Sequence, residues 1–351
     1  MWSRVKLAVA TLLYHSRLLD LLNRLINRYR VDRVRRLGPV PAIRRRRVGD
    51  VQILIYHRVG SQADGFLPPL PIETFERQMR YVAANCRVLS LDDAADAIRR
   101  RDVPPNAVVI TFDDGYRDNY TTALPVLSTY SLPATIFVVT GAIGNGGVIW
   151  HDRVFRAFST TTCRELREFG PRAECYPLRT PDQLAYAERS VLRYLKSLPP
   201  ERRDREIARL IDRLDTGDVD RADGLMLGWE ELREMNARGV SVGAHTVSHP
   251  ILSRVSPEQA RREIAESKRT IEGELGCPVR NFAYPNGARV DFDDTTKTIL
   301  SECGFDCALT TIFGTNDDDS TDRPDMLELK RMDLVDGRLP LFATKLNVYR
   351  W

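Results

Sequence analysis

The sequence predicts an α/β fold in which parallel strands alternate with helices, arranged either as a barrel or as a doubly wound sheet. From residue 51 onward, short apolar runs rich in β-branched residues alternate with segments of helical period, and this alternation requires parallel strand pairing. The chain of 351 residues exceeds an average domain, but strand–helix barrels commonly use this length as one unit. Hydrophobic residues make up 43% of the chain, which is enough to bury a full core.

The predicted elements follow one another in a regular order. Strands are predicted at residues 51–56, 107–112, 135–139, 240–244, 281–284 and 306–310. Helices are predicted at residues 73–85, 92–101, 118–130, 257–275 and 291–302. The helix at 257–275 has the clearest limits, because Ser256 and Gln259 form a capping box at its start and Gly276 suits its end.

One long segment, residues 143–226, interrupts the alternation. It follows a glycine-rich stretch and contains two polar segments of helical period at residues 182–198 and 201–214. The glycines are not followed by the Gly-Lys-Ser/Thr ending of a phosphate-binding loop. We therefore interpret the segment as a helical insertion carried on one loop of the fold.

The first 47 residues form a basic leader. Residues 1–50 contain thirteen Arg and Lys residues against three Asp residues, and leucines recur at helical spacing within residues 3–30, so an amphipathic helix is predicted there. Such a helix can lie on an anionic membrane surface, with the cluster at residues 44–47 adding attraction, or it can pack on the flank of its own domain. The apolar run at residues 7–13 is too short to span a bilayer, and no convincing cleavage site follows it.

Composition also predicts the compartment and excludes one class of partner. The six cysteines include no Cys-x-x-Cys pair, so in a chain of this size they are expected to be reduced thiols. This favours a cytoplasmic protein, peripheral to the inner face of the membrane if the leader binds lipid. Nucleic acid is not predicted as a partner, because no aromatic residues interleave the basic ones.

Two adjacent carboxylates mark the end of the predicted strand at 107–112. Asp113 and Asp114 precede Gly115, which supplies the turn that ends the strand. Adjacent side chains of an extended chain point in opposite directions, so one carboxylate can bind a cation while the other moves a proton. A solvated Asp-Asp-Gly turn is the alternative when this pair is considered alone.

Two histidines favour the cation-binding interpretation over the solvated turn. His245 and His249 lie on the connection that leaves the strand at 240–244. Two imidazoles and one carboxylate form a ligand set suited to a divalent transition metal, most simply Zn²⁺. Asp114 is the expected third ligand and Asp113 the expected base.

These residues resemble the signatures of a known family. TFDDG at residues 111–115 and HTVSH at residues 245–249 are similar to the first two motifs of the NodB-type polysaccharide deacetylases, carbohydrate esterase family 4. Supporting segments are ILIYHRV at 53–59, RNFAYPNG at 280–287 and GFDCALTT at 304–311. The Tyr-His pair at the first strand resembles the branch that deacetylates exopolysaccharide or poly-N-acetylglucosamine.

The resemblance implies both a fold and an activity. It implies a distorted (β/α)7 barrel over residues 48–345, similar to a TIM barrel, and a metal-dependent hydrolase that removes N-acetyl groups from amino sugars of a polysaccharide or its precursor. By position, Asp114, His245 and His249 would hold the metal and Asp113 would act as base. A backbone N–H near Asn286, in the Tyr284-Pro-Asn-Gly turn, would bind the oxyanion.

Two departures from the family pattern leave residue roles open. Leu309-Thr310-Thr311 stands where many members have Leu-x-His, the source of the general acid. His57 is the predicted substitute, and a histidine that hydrogen-bonds to close the barrel is its alternative role. Ala283 occupies the place of the arginine that commonly tethers the base, so Arg280 or Arg331 is expected to serve instead.

The role of Trp150 and the activity of the protein each have two interpretations. Trp150 is predicted either to stack on a sugar ring or to anchor the insertion through apolar contacts. A catalytically silent carbohydrate-binding protein, or a scaffold of an exopolysaccharide system at the membrane surface, is the alternative to the enzyme.

Overall fold

The structure is a computed structural model that describes residues 50–61, 64–316, 324–334 and 338–348. Its strands are β1 (Gln52–Tyr56), β2 (Arg87–Val88), β3 (Ala107–Phe112), β4 (Ala134–Val138), β5 (Glu165–Phe169), β6 (Glu174–Pro177), β7 (Val240–Ala244), β8 (Asn281–Ala283), β9 (Cys307–Phe313) and β10 (Leu329–Asp333). Its α-helices are α1 (Ile72–Asn85), α2 (Leu91–Arg100), α3 (Leu124–Thr129), α4 (Trp150–Thr160), α5 (Pro181–Lys196), α6 (Pro200–Arg213), α7 (Trp229–Ala237), α8 (Pro257–Leu275), α9 (Asp294–Glu302) and α10 (Leu339–Val348). A π-helical turn, Asn119–Ala123, leads into α3.

Seven parallel strands close into a barrel in the order β1, β3, β4, β7, β8, β9, β10. Closure depends on β1, which pairs with β3 from Gln52–Val108 to Tyr56–Phe112 and with β10 at Leu54–Met332. The short β2 pairs with the start of β3 outside this ring. The predicted (β/α)7 barrel is thus confirmed, and the open doubly wound sheet is excluded because its edges are joined.

The residues of β3 show why this strand lies at the centre of the fold. All six of its residues are buried, as expected for a parallel strand that is covered on both sides. Ala107 and Val109 pack with residues from β1, β4, β8, β9, β10 and helix α2, whereas Val108 and Ile110 belong to the larger cluster formed with the other helices. Because side chains alternate between the two faces of a strand, Asp113 continues the series of Ala107 and Val109, which faces the barrel interior.

The insertion has its own apolar core. Buried residues of α4, β5, β6, α5 and α6 form one cluster, together with Tyr116, Val139 and Ala142 from the loops after β3 and β4. The insertion therefore packs at the carboxyl end of the barrel. Two of its helices were predicted within two residues, but the antiparallel hairpin β5–β6 and helix α4 were not.

Several predicted limits are confirmed. The structure has β3, β7 and α8 at the predicted residues, and the Oγ of Ser256 accepts a hydrogen bond from the N–H of Gln259 at 3.2 Å. Gly276 ends α8 with φ +65°, a left-handed conformation that glycine adopts easily. Strand β10, which carries Arg331, was not predicted.

The leader, residues 1–47, lies outside the described residues, so its predicted helix is not tested. Among the helices that the structure does describe, none is both long and apolar enough to cross a membrane.

Candidate active site

A buried ion pair joins two residues that are far apart in the sequence. The guanidinium of Arg331 in β10 donates to both carboxylate oxygens of Asp113, from Nη1 to Oδ1 at 2.7 Å and from Nη2 to Oδ2 at 2.6 Å. Its Nε donates to the carbonyl of Thr310 at 2.7 Å. Asp113 is 2% and Arg331 1% exposed. A bidentate pair of this kind fixes the plane of the carboxylate.

The tether of Asp113 is therefore Arg331 and not Arg280. The side chain of Arg280 is 59% exposed, and its Nε lies 3.8 Å from the carboxylate of Asp306. Ala283 instead contributes its backbone carbonyl, which lies 2.7 Å from Nδ1 of His245.

Asp114, His245 and His249 meet beside this pair. The Oδ1 of Asp114 lies 3.5 Å from Nε2 of His245 and 3.4 Å from Nε2 of His249. All three residues are buried, and their potential ligand atoms lie within 4.8 Å of one another. The two carboxylates adopt different positions as predicted, because Asp113 faces Arg331 and Asp114 faces the imidazoles.

The geometry of these three residues fits a metal site. Two atoms bound tetrahedrally to one zinc ion at about 2.1 Å lie about 3.4 Å apart, and the two Nε2–Oδ1 distances are 3.5 and 3.4 Å. A direct hydrogen bond between a charged imidazole and a carboxylate would be shorter, about 2.7–2.9 Å. For His245, donation from Nδ1 to the carbonyl of Ala283 leaves the lone pair on Nε2, which is the tautomer that a metal requires.

Burial and neighbouring charges shift the pKa values of the two aspartates in the site. Burial opposes ionisation of Asp113, but the charge and hydrogen bonds of Arg331 outweigh it, so the pKa of Asp113 is lowered. Burial likewise opposes ionisation of Asp114, but the neighbouring imidazoles of His245 and His249 outweigh it, so its pKa is also lowered. Both carboxylates are therefore ionised at neutral pH.

The pKa values of the two histidines in the site shift in opposite directions. Burial lowers the pKa of His249 well below its ordinary value, so this ring is neutral and able to bind a cation. Burial also opposes the charged form of His245, but Asp114 and Asp113 outweigh it and the pKa is raised. Metal binding at Nε2 of His245 therefore competes with protonation of this ring.

Three non-glycine residues of the site have left-handed backbone conformations. Their φ angles are +78° for Asp114, +68° for Thr246 and +56° for His249, a conformation that costs about 1–2 kcal/mol per residue. Contacts from elsewhere in the chain must hold such a loop in place. Glu263 of α8 supplies several of them, since its carboxylate accepts hydrogen bonds from the N–H groups of Val247 and Ser248, each at 2.9 Å.

His57 lies at the edge of the same site. It directly follows β1, is partly exposed, and accepts a hydrogen bond at its backbone carbonyl from Nδ2 of Asn119 at 2.8 Å. A positive charge on its imidazole would lower the pKa of both Asp113 and Asp114. The structure thus brings His57 to the carboxylate pair, and its role as general acid stays a prediction.

Two residues named for the substrate site have buried side chains. Trp150 is 4% exposed and packs in the apolar cluster of the insertion, so it offers no face to a sugar and acts as the anchor that was the alternative. Tyr284 is fully buried, donates its hydroxyl to the carbonyl of Leu327 at 2.7 Å, and stacks on Phe292. Its side chain is part of the core, and the predicted backbone contact of this turn with the oxyanion stays a prediction.

Asn286 lies in a turn that is fixed to β9. Its φ is +59°, and its backbone carbonyl accepts a hydrogen bond from the hydroxyl of Thr311 at 2.6 Å. Its Nδ2 is buried without a hydrogen-bond partner among the described residues. The predicted oxyanion contact near Asn286 stays a prediction.

A second buried polar group adjoins the site and was not predicted. The hydroxyl of Tyr116 donates to the carboxylate of Asp152 at 3.1 Å and lies 3.3 Å from Nε2 of His151. The ring of His151 lies 5.2 Å from that of His249. The only sequence signal was the Trp-His-Asp run at residues 150–152, which gives no indication of its partner.

Known proteins resemble this chain in sequence and in fold. The family model for polysaccharide deacetylase matches residues 100–308. A putative polysaccharide deacetylase, YxkH of Bacillus subtilis (strain 168), is 23% identical over 261 residues, covering 74% of this chain. The present chain spans 63% of the length of that relative.

Solved structures share the fold. The deacetylase PplD of Streptococcus pyogenes, solved in complex with acetate, has a TM-score of 0.56 at 20% identity, with 85% of this chain and 97% of that chain covered. IcaB from Ammonifex degensii has a TM-score of 0.54 at 21% identity with the same coverage. At this level of identity the similarity shows the barrel fold.

Replacement of Arg331 by Met should leave Asp113 as a buried carboxylate without its partner. We expect the free energy of unfolding, measured by urea denaturation, to fall by about 3–5 kcal/mol. Arg280→Met is the matched control at an exposed arginine and should change it by less than about 0.5 kcal/mol. In an Asp113→Asn background, Arg331→Met should lower the free energy of unfolding by clearly less. An equal decrease in both backgrounds would contradict the role of the ion pair.

Proposed function

The chain belongs to the polysaccharide deacetylase family, and we propose that it removes N-acetyl groups from amino sugars of a polysaccharide or its precursor with the help of a bound divalent metal ion. The family makes it a hydrolytic deacetylase. The observation that supports a metal-dependent reaction is the meeting of Asp114, His245 and His249 beside the tethered carboxylate of Asp113. Zn²⁺ is the metal we propose, because a set of two imidazoles and one carboxylate matches its preferences.

The residues of the site divide the work of amide hydrolysis. Asp114, His245 and His249 would hold the metal, which when bound polarises the acetyl carbonyl and activates water. Asp113, ionised and held in one orientation by Arg331, would take the proton of the attacking water. A backbone N–H near Asn286 would donate to the oxyanion. A general acid must then protonate the departing sugar amine, and the products are acetate and the free amine.

Acetate release from N-acetylhexosamine oligomers tests this proposal. The wild-type chain loaded with Zn²⁺ should release acetate, removal of the metal by a chelator should abolish the activity, and Asp113→Asn should lower the rate about 100- to 10,000-fold because the base is lost. Asp96→Asn, at an aspartate of α2 whose side chain is 50% exposed, is the matched control and should leave the rate unchanged. If Asp113→Asn is as active as wild type, the base is a different residue; if no oligomer yields acetate, the chain is the silent carbohydrate-binding relative.

We propose His57 as the general acid, since no histidine follows His249 in the sequence and His57 lies close to the Asp113–Asp114 pair. His57→Ala should lower the turnover number about 100-fold or more while the zinc content per chain, measured by atomic emission, stays at the wild-type value. His57→Gln should be similarly impaired, because glutamine cannot donate an acidic proton. Loss of zinc from His57→Ala would show that His57 supports the metal site instead.

The leader suggests a second role, contact with a membrane from the cytoplasmic side. Its basis is the sequence alone, namely the amphipathic pattern at residues 3–30 and the four arginines at residues 44–47. The full chain should float with vesicles that contain anionic lipid and not with neutral vesicles. Replacement of the four arginines by glutamine should weaken flotation, since each charge contributes about 1 kcal/mol near the surface. Equal flotation with neutral vesicles, or none with anionic ones, would exclude this role.

A further inference from the structure

We propose that Trp150 and His151, in the first turn of α4, are positioning residues for His249, so that the insertion forms part of the candidate metal site. This inference rests on the metal-binding part of the proposed function. Neither residue is a predicted ligand, and neither belongs to the barrel. Both lie in the segment at 143–226 that interrupts the strand–helix alternation.

The backbone of His249 is held from both sides. Its N–H donates to the hydroxyl of Thr246 at 3.1 Å, within the same loop. Its carbonyl accepts a hydrogen bond from Nε1 of Trp150 at 3.1 Å, and this bond is buried. Because the φ of His249 is +56°, the residue would move toward an ordinary backbone conformation without such contacts. The indole N–H therefore fixes the point from which the imidazole extends.

The imidazole of His249 lacks the hydrogen bond that orients metal-binding histidines. His245 has such a bond, from Nδ1 to the carbonyl of Ala283. Nδ1 of His249, in contrast, is buried and has no hydrogen-bond partner among the described residues. The orientation of this ring must therefore come from packing. Its neighbours are the ring of His245 at 4.9 Å and the ring of His151 at 5.2 Å, which meets it nearly edge to face at 81°.

His151 is itself firmly held. Its Nε2 lies 3.3 Å from the hydroxyl of Tyr116, and the ring of Phe66 packs on it at 5.0 Å. Asp152 binds the same hydroxyl and also accepts the N–H of Phe66 at 2.8 Å. These bonds connect the insertion to the loops after β1 and β3. His151 can thus serve as a rigid wall against which the ring of His249 rests.

Trp150 is fixed in a similar way. The guanidinium of Arg203 in α6 lies over its ring at 4.7 Å, and the ring of His151 lies 5.6 Å away. The indole thus has one position, and its N–H points at the carbonyl of His249. Outer contacts that orient a ligand typically change metal affinity 10- to 100-fold when they are lost, even though they do not touch the metal.

The test measures the affinity of the full chain for Zn²⁺ by competition with a chromogenic chelator. Trp150→Phe removes the indole N–H and keeps an aromatic ring, and we expect it to raise the Kd for Zn²⁺ about 10-fold. His151→Leu removes the ring edge and should have a similar effect, whereas His151→Phe keeps the edge and should restore part of the affinity. Trp229→Phe is the matched control, at a partly buried tryptophan in α7, and should leave the Kd unchanged.

A second measurement separates positioning from general stability. The Tm of the metal-free protein should shift by a similar amount in Trp150→Phe and in Trp229→Phe, although only the former loses zinc affinity. Values of Kd within twofold of wild type for both Trp150→Phe and His151→Leu would overturn the inference. If one of these two variants does not fold, a Kd of the other within twofold of wild type is enough to overturn the inference. A wild-type chain that does not bind Zn²⁺ would instead refute the metal site itself.

Discussion

The bidentate ion pair between Asp113 and Arg331 is the interaction on which the site depends. The two residues are 218 positions apart, and they meet because β1 pairs with β3 on one side and with β10 on the other. Barrel closure therefore brings the charges together. Removal of two charges from water is costly, and only a complete set of hydrogen bonds compensates for it. The pair thus links the integrity of the barrel to the orientation of the carboxylate that we propose as the base.

Adjacent carboxylates have different surroundings because of the pleat of a β-strand and the turn that follows it. Asp113 continues the series of β3 that faces the barrel interior, and it meets Arg331. Asp114 has a φ of +78°, turns away from that series, and faces the two imidazoles. A left-handed aspartate is unfavourable on its own, so the fold must stabilise it elsewhere. Such strain at the carboxyl end of the strands is consistent with the position of active sites in barrels of this kind.

The insertion contributes contacts that support the loop with His245 and His249. The barrel provides one imidazole with a backbone hydrogen bond, from His245 to Ala283. His249 has no such bond at Nδ1 among the described residues, but Trp150 of the insertion donates to its backbone carbonyl and the ring of His151 lies 5.2 Å from its imidazole. An element that looks peripheral in the sequence therefore packs directly behind the site. Asp152 of the insertion and Tyr116 of the loop after β3 are joined by a buried hydrogen bond and hold these contacts in place.

Local sequence patterns were sufficient to predict the fold class and the three residues of the candidate metal site. Strand–helix alternation specifies parallel pairing, and Asp114, His245 and His249 follow directly after two strands whose carboxyl ends lie at the same side of any such sheet. Which arginine holds Asp113 could be learned only from the three-dimensional structure, since Ala283 occupies the usual place and Arg331 of β10 reaches Asp113 only because β1 pairs with both β10 and β3. The tertiary structure also decided that Trp150 and Tyr284 are buried and that His151 lies against His249, because the burial and the neighbours of a side chain depend on residues far away in the chain.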